Sequence, residues 1–478
     1  MFRSRARKKR IFGRRKRVNR FSWLSAIASV ALFLIILELL TRIFFDISGN
    51  RSKFSSSQDS EPIEAYKLNL VAGDRALASP NSERESDAEV TPSDRQFLQI
   101  ANSIYTGYEL VDNQENQYWQ INAQGFRDRE PVPVTKPQGE VRIFLLGNST
   151  AFGYGSSSNA TTISAQLEQR LAKRLQQQKA SPQLYKPDLI PSDPEARQKS
   201  AKKPAKIKPG NYRVINAAVP GYASGNELAQ VALEILKYQP DLIIVLDGYV
   251  DLMLPSQQEA VEIARVPQNN VNRSERRDRF NRFIAPVKDR SYLVQVVQER
   301  WSDSRKTSNK QNLVLDERLF NLVEQLPGGE EELQKRVARY IDHQRQILNH
   351  SAAAKIPLIV AIQPEITGRN ATQLADSEGE IATQLGRSYI MQVRNSYPAF
   401  IEATQQLAKA FPKNIKALDL YRLTDKYPSP SFIDPIHLNE AANEKVAEQL
   451  YYAISSFSKM QVVPKQAPAS PPKPAAQN

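Results

Sequence analysis

The chain has no cysteine in 478 residues, which excludes disulfides, thiolate metal sites and cysteine nucleophiles. An exported chain can do without both disulfides and exposed thiols, so this absence leaves the compartment open. Histidine is nearly as scarce, with only His343, His350 and His437, so any imidazole chemistry must use one of these three. His343 and His350 lie seven apart in "RYIDHQRQILNH" on one face of an expected helix. That spacing is too wide for one metal ion, and the pair reads as solvated helix face. Acidic residues are missing from positions 1–20, which hold eleven Lys/Arg and leave only +3 of the net charge of +14 for the rest of the chain. The basic character therefore belongs to a tail. Long apolar runs are also absent, with one exception next to that tail.

The exception is the uncharged, mostly apolar stretch from Phe21 to Leu37, which continues to Phe45 with only Glu38 and Arg42 interrupting. About 20 apolar residues span a bilayer core. Glu38 and Arg42, four apart on a helix, can pair near the far interface. Cations on the amino side place that end in the cytoplasm and the remainder outside it. A cleavable signal peptide competes with this reading, but no clear small-x-small site follows the run. A nucleic-acid-binding arm fits the charges alone and not their position against a membrane span; a topology signal touching anionic lipid fits both. The expected organisation is a basic cytoplasmic tail (1–20), a transmembrane signal anchor (21–45), a flexible polar stalk (46–95), a folded domain (96–458) and a Pro/Ala-rich disordered tail (459–478).

Within the domain, continuous apolar runs at Val141–Leu146, Arg213–Ala217, Leu242–Leu246, Pro357–Ile362 and Ile415–Leu418 suit strands buried on both faces. Helical spacing follows the first run, at Ile163, Leu167, Leu171 and Leu175, and the second, at Leu228, Ala232 and Ile235. Strand and helix in alternation predict a parallel sheet covered on both sides, an α/β fold. Two insertions break the rhythm. Residues 176–211 read as a basic, Pro-containing surface loop, and residues 254–330 as charged decoration rather than a cap, since long surface insertions cost little.

Two short stretches carry chemistry. In "VRIFLLGNSTAFGYG" a buried strand runs into Gly-Asn-Ser-Thr, a small-residue turn able to hold the Ser149 hydroxyl beside backbone N–H groups. In "SFIDPIHLNEAANEKVAEQL" Asp434 precedes His437 by three residues across a proline. A loop of that form can set the carboxylate against one imidazole nitrogen while the other faces a cleft. Either stretch alone has a bland reading, as an architectural turn and an ordinary loop histidine.

"GNS", the glycine of "NAAVPGYASGN", "DGYVDL" and "DPIH" follow one another in the order and spacing of the SGNH, or GDSL-like, hydrolase superfamily, which the chain resembles from about Asn122 to Ser455. "INAQGFRDRE" is similar to a lead-in found in many bacterial members. The resemblance implies a flavodoxin-like three-layer α/β/α domain with a five-stranded parallel sheet. It further implies Ser149 as nucleophile, His437 as base, Asp434 as the residue orienting it, and the N–H groups of Ser149 and Gly221 as the oxyanion hole. No cofactor or metal is implied. One departure stands out. The family's third block is usually Gly-x-Asn-Asp, whose asparagine donates to the oxyanion, whereas this chain has Gly248-Tyr249-Val250-Asp251. Valine cannot donate, and Asn148, Asn216 or Asn226 are the available substitutes. Loss of one donor costs about 10²–10³ in rate.

Three functions follow. The first is a membrane-anchored, extracytoplasmic serine esterase cleaving small acyl esters, O-acetyl groups on a surface glycan among them. The second is an acyltransferase with the same triad acting on exopolysaccharide. The third is a weakly active or inactive SGNH-like binding or assembly protein. The expected partners are the membrane, through the single span, and an acyl ester or glycan; nucleic acid is not among them.

Overall fold

A computed structural model of the chain describes residues 69–70, 98–258, 322–427 and 430–466, all within one compact unit. The elements in chain order begin with β1 (Asn69–Leu70), β2 (Gln99–Ser103), β3 (Gly107–Leu110), β4 (Glu140–Gly147), α1 (Ser149–Phe152) and α2 (Ile163–Ala180). Next come β5 (Leu189–Ile190), α3 (Pro194–Ala201), β6 (Asn211–Asn216), α4 (Ser224–Leu233), β7 (Leu242–Asp247) and α5 (Tyr249–Met253). The described part closes with α6 (Leu322–Gln325), α7 (Glu330–Ala353), β8 (Leu358–Ile362), α8 (Asp376–Ala410, interrupted at Gly386), β9 (Ile415–Asp419), α9 (Glu440–Ser455) and β10 (Lys465–Gln466).

The five apolar runs are the five strands of one sheet, ordered β6-β4-β7-β8-β9 and parallel throughout. β7 and β8 are buried along their whole length, as is the second part of β4, which is why alternation is missing from their sequences. Helices α2 and α9 pack together on one face, and α4, α7 and α8 pack on the other. This is the three-layer α/β arrangement with strand order 2-1-3-4-5, in which the chain reverses direction across the sheet at the first strand. Ligand sites in such sheets lie at that switch point, beyond the carboxyl ends of the strands. Ser149, Gly221 and Gly248 all stand there, after β4, β6 and β7.

Several expectations need correction. The region 176–211 is not an irregular loop: α2 runs through Ala180, a capped helix α3 begins after Asp193, and β5 pairs in parallel with β10. That pairing also orders the tail from 459 to 466, which composition alone marks as disordered. Within the expected stalk, Asn69–Leu70 pair with Gln99–Ile100. No helix among the described residues is long and apolar enough to cross a membrane. The expected anchor at 21–45, most of the stalk and residues 259–321 of the second insertion lie outside the described residues.

Candidate active site

The turn after β4 answers to Gly147. Its φ is 145°, and a side chain there would overlap the Leu246 carbonyl oxygen and bring a Cβ within 2.6 Å of Ala151 Cβ. Only glycine lets the strand turn so sharply beside β7. Asn148 then caps α1, its Oδ1 accepting from the Thr150 N–H at 3.0 Å, and Ser149 becomes the first helical residue. The backbone N–H at such a position has no intrahelical acceptor and points outward from the helix start. Gln363, the residue after β8, braces the turn. It accepts from Asn148 Nδ2 at 2.6 Å and donates to Thr150 Oγ1 at 2.9 Å.

The second component is the loop Ser431–Asn439. Asp434 Oδ1 accepts the N–H groups of Ile436 (3.0 Å) and His437 (2.8 Å), and its Oδ2 accepts from His437 Nδ1. Pro435 keeps the intervening backbone from continuing as helix, and the Ile433 N–H donates to the His437 carbonyl at 3.0 Å to close the loop. The carboxylate therefore fixes both the loop and the ring, and with Nδ1–H spent on Asp434 the imidazole keeps Nε2 as its basic nitrogen. Burial would raise the Asp434 carboxyl, but His437 and the two N–H donors outweigh it and hold the group below the usual carboxylate range.

Two residues that follow Ser149 bring these two components together. Thr150 Oγ1 donates to the Ile436 carbonyl at 3.2 Å, and the Tyr154 ring stacks on His437 with centroids 4.3 Å apart. The Tyr154 N–H in turn donates to the Ser149 carbonyl at 3.0 Å. Ser149 and His437 are both fully buried. A buried ion pair between Arg369 and Glu378 anchors the His437 loop from below, as Glu378 also accepts the N–H groups of Ser431 (2.8 Å) and Phe432 (3.1 Å).

The third component is the turn after β6. The Tyr222 N–H donates to the Val219 carbonyl at 3.1 Å, with Pro220 and Gly221 in between and Gly221 at φ 81°, the residues a type II turn requires. The N-terminal β2–β3 hairpin grips this turn. Tyr108 Oη donates to the Pro220 carbonyl at 2.7 Å, Tyr222 Oη donates back to the Tyr108 carbonyl, and the two rings meet edge to face.

Each of the three asparagines offered as a substitute oxyanion donor already spends an N–H elsewhere. Asn148 Nδ2 donates to Gln363, Asn216 Nδ2 to the Phe152 carbonyl at 3.0 Å, and Asn226 Nδ2 to the Thr106 carbonyl at 2.8 Å. Val250, at the start of α5, is buried against Ala223 and Leu254, beside the turn that carries Gly221. Asp251 is buried and binds Ser224. Gly248 caps α5 at φ 113°.

Sequence reasoning passed over four residues here. Gln363 and Tyr108 carry no motif, and their roles arise only from packing. Tyr154 stands in the quoted stretch after Ser149, where a ring five residues on from the serine was the available signal. His343 is not a bystander on a solvated face, because its Nδ1 lies 2.9 Å from Ser224 Oγ. His350 is exposed, as the helical spacing predicts.

No family model matches the chain, and no curated protein matches it in sequence. Among solved structures it is similar to a lipase/acylhydrolase from Enterococcus faecalis, at 14% identity over 68% of this chain and 100% of that one, with a TM-score of 0.33. It is similar to an acetylxylan esterase from Geobacillus stearothermophilus at 12% identity, over 67% of this chain and 96% of that one, with a TM-score of 0.33. A lipolytic protein of the G-D-S-L family from Desulfitobacterium hafniense gives 12% identity, 65% and 98% coverage and a TM-score of 0.31. At those scores the likeness is loose, and the residues described above carry the functional reading instead.

Proposed function

We propose that the chain is a serine esterase of SGNH type acting on small acyl esters. The observation that carries this is the Asp434–His437 pair, held by its own loop against the helix start that presents Ser149. Ser149 Oγ attacks the ester carbonyl while His437 Nε2 takes its proton, with Asp434 stabilising the imidazolium that forms. The N–H groups of Ser149 and Gly221 bind the oxyanion. Collapse breaks the bond to the alkoxy oxygen, which leaves as an alcohol with the proton from His437. Water then attacks the acyl-serine by the same route and releases the carboxylic acid.

Full burial of Ser149 and His437 favours a small acyl group, such as O-acetyl on a glycan, over a long chain. The basic run and apolar stretch at 1–45 favour an enzyme anchored in the membrane by one N-terminal span, with its domain outside the cytoplasm. An acyltransferase would use the same residues with a sugar hydroxyl in place of water. The weakly active binding protein draws support from one specific observation, that each of the three candidate asparagine amides spends at least one N–H elsewhere.

A serine-directed fluorophosphonate should label Ser149. Ser149→Ala and His437→Ala should each lower p-nitrophenyl acetate hydrolysis by at least about 10³, and the double variant should be little worse than either, because the pair acts as a unit. Asp434→Asn should cost less than either. A fully active Ser149→Ala protein would refute the assignment.

A further inference from the structure

We infer that His343, Ser224 and Asp251 form a proton-ordered chain that holds the Gly221 turn in register, making Asp251 and His343 positioning residues for the proposed hydrolysis. The inference rests on that reading of the site. Ser224 is the first residue of α4 and stands three positions after Gly221. Its N–H donates to Asp251 Oδ2 at 2.9 Å and its hydroxyl to Asp251 Oδ1 at 2.6 Å, so one carboxylate takes both donors of one residue. Ser224 and Asp251 are both fully buried.

The direction of the remaining bond follows from counting protons. A serine hydroxyl has one, and here it is given to Asp251, which as a carboxylate only accepts. Ser224 Oγ can therefore only accept from His343 Nδ1, which stands 2.9 Å away. His343 must carry a proton on Nδ1, which fixes its tautomer whenever the ring is neutral. The chain runs from a half-buried ring on α7, through Ser224, to a buried carboxylate on α5.

α5 holds the residues behind Gly221 at two successive points. Val250 packs on Ala223, and Asp251 binds Ser224. α7 holds α5 in turn, with Arg339 Nη2 donating to the carbonyls of Leu254 (2.9 Å) and Asp251 (3.2 Å), and Arg336 donating to that of Leu252. Between Gly221 and Ser224 the backbone has little slack, because the Tyr222 N–H is bonded to Val219 and the Ala223 N–H to Asn226 Oδ1 at 2.9 Å. Where SGNH proteins carry a direct donor, this helix supports the segment that carries the Gly221 N–H. A shift of that N–H weakens binding of the oxyanion far more than binding of the neutral ester.

The test pairs kinetics with a readout that does not depend on turnover. Asp251→Asn is expected to lower kcat by about tenfold to a hundredfold, with KM changed by less than about twofold. His343→Leu should lower kcat several-fold, and His343→Asn, whose side-chain N–H sits near the position of Nδ1, should recover most of that loss. His343 is half-buried on a helix, so its variants remain informative if Asp251→Asn fails to fold. Nitrogen-15 NMR of the neutral His343 ring should show the Nδ1–H tautomer in the wild type, shifting toward Nε2–H in Ser224→Ala. An Nε2–H ring in the wild type overturns the chain, and so do folded His343→Leu and Asp251→Asn proteins with unchanged kcat. If the wild type turns over no ester and ignores fluorophosphonate, the esterase reading has failed. Amide exchange then decides the clamp: faster exchange at Gly221 and Tyr222 in Ser224→Ala upholds it, and unchanged exchange overturns it.

Discussion

At the scale of single residues, Val250 separates a weakened enzyme from a binding protein. Under the proposed SGNH reading it stands in for the asparagine that donates to the oxyanion, and its neighbours here are Ala223 and Leu254. Val250→Asn puts an N–H beside the Gly221 turn, where charge develops in the transition state. The gain is expected in kcat more than KM; recovery of about 3 kcal/mol is the ceiling, and about tenfold the realistic figure, since the carboxamide must find its geometry in a packed site. The same change buries a polar group among apolar ones and should lower stability by about 1–3 kcal/mol in a thermal melt. A folded variant with unchanged turnover would mean that the hole is already complete.

At the scale of elements, the packing of α4 and α7 on β7 encloses two carboxyl groups. Asp247, at the end of β7, accepts from Tyr340 Oη and Gln344 Nε2, each at 2.8 Å. Neither carboxyl oxygen of fully buried Glu227, on α4, receives a donor among the described residues. Burial first, then Asp247 and Asp251, push the Glu227 carboxyl well above the ordinary range, so it is the protonated partner and donates to Asp247. Its folded-state pKa lies above the unfolded value near 4.5. The stability it contributes is therefore complete below that value and is lost as pH rises toward the folded one. Glu365, raised to about 7 chiefly by burial, acts in the same sense. Glu227→Gln keeps the donor to Asp247 and removes the titration. As pH rises above the unfolded value near 4.5, the variant should gain on the wild type by up to about 1.4 kcal/mol per pH unit, read from chemical denaturation at several pH values. Parallel pH profiles would show Glu227 to be ionised in the folded protein.

At the scale of the whole molecule, the proposed anchor is tested by topology. Protease added outside intact cells or spheroplasts should digest the domain and spare the first 20 residues, the basic tail on the cytoplasmic side. A domain that stays protected until the membrane is lysed would sink the proposal.

Much of the architecture was legible in the linear chain, because strands buried on both faces and helices with one apolar face leave local periodicities. All five strands of the sheet fall within a residue or two of the apolar runs, as at Val141–Leu146 against Glu140–Gly147. The Asp434–His437 pairing was legible for the same reason, since three positions and a proline confine both groups to one loop. The tertiary structure decided what depends on residues far apart. His343 meets Ser224 across 119 positions, and Asn148 meets Gln363 across 215, and no local pattern records such pairs. Composition also could not show that Leu189–Ile190 of a basic, Pro-containing stretch pairs with Lys465–Gln466 of the tail as β5 and β10. Two segments with little apolar surface lack a reason to fold singly and acquire one when their backbone groups pair.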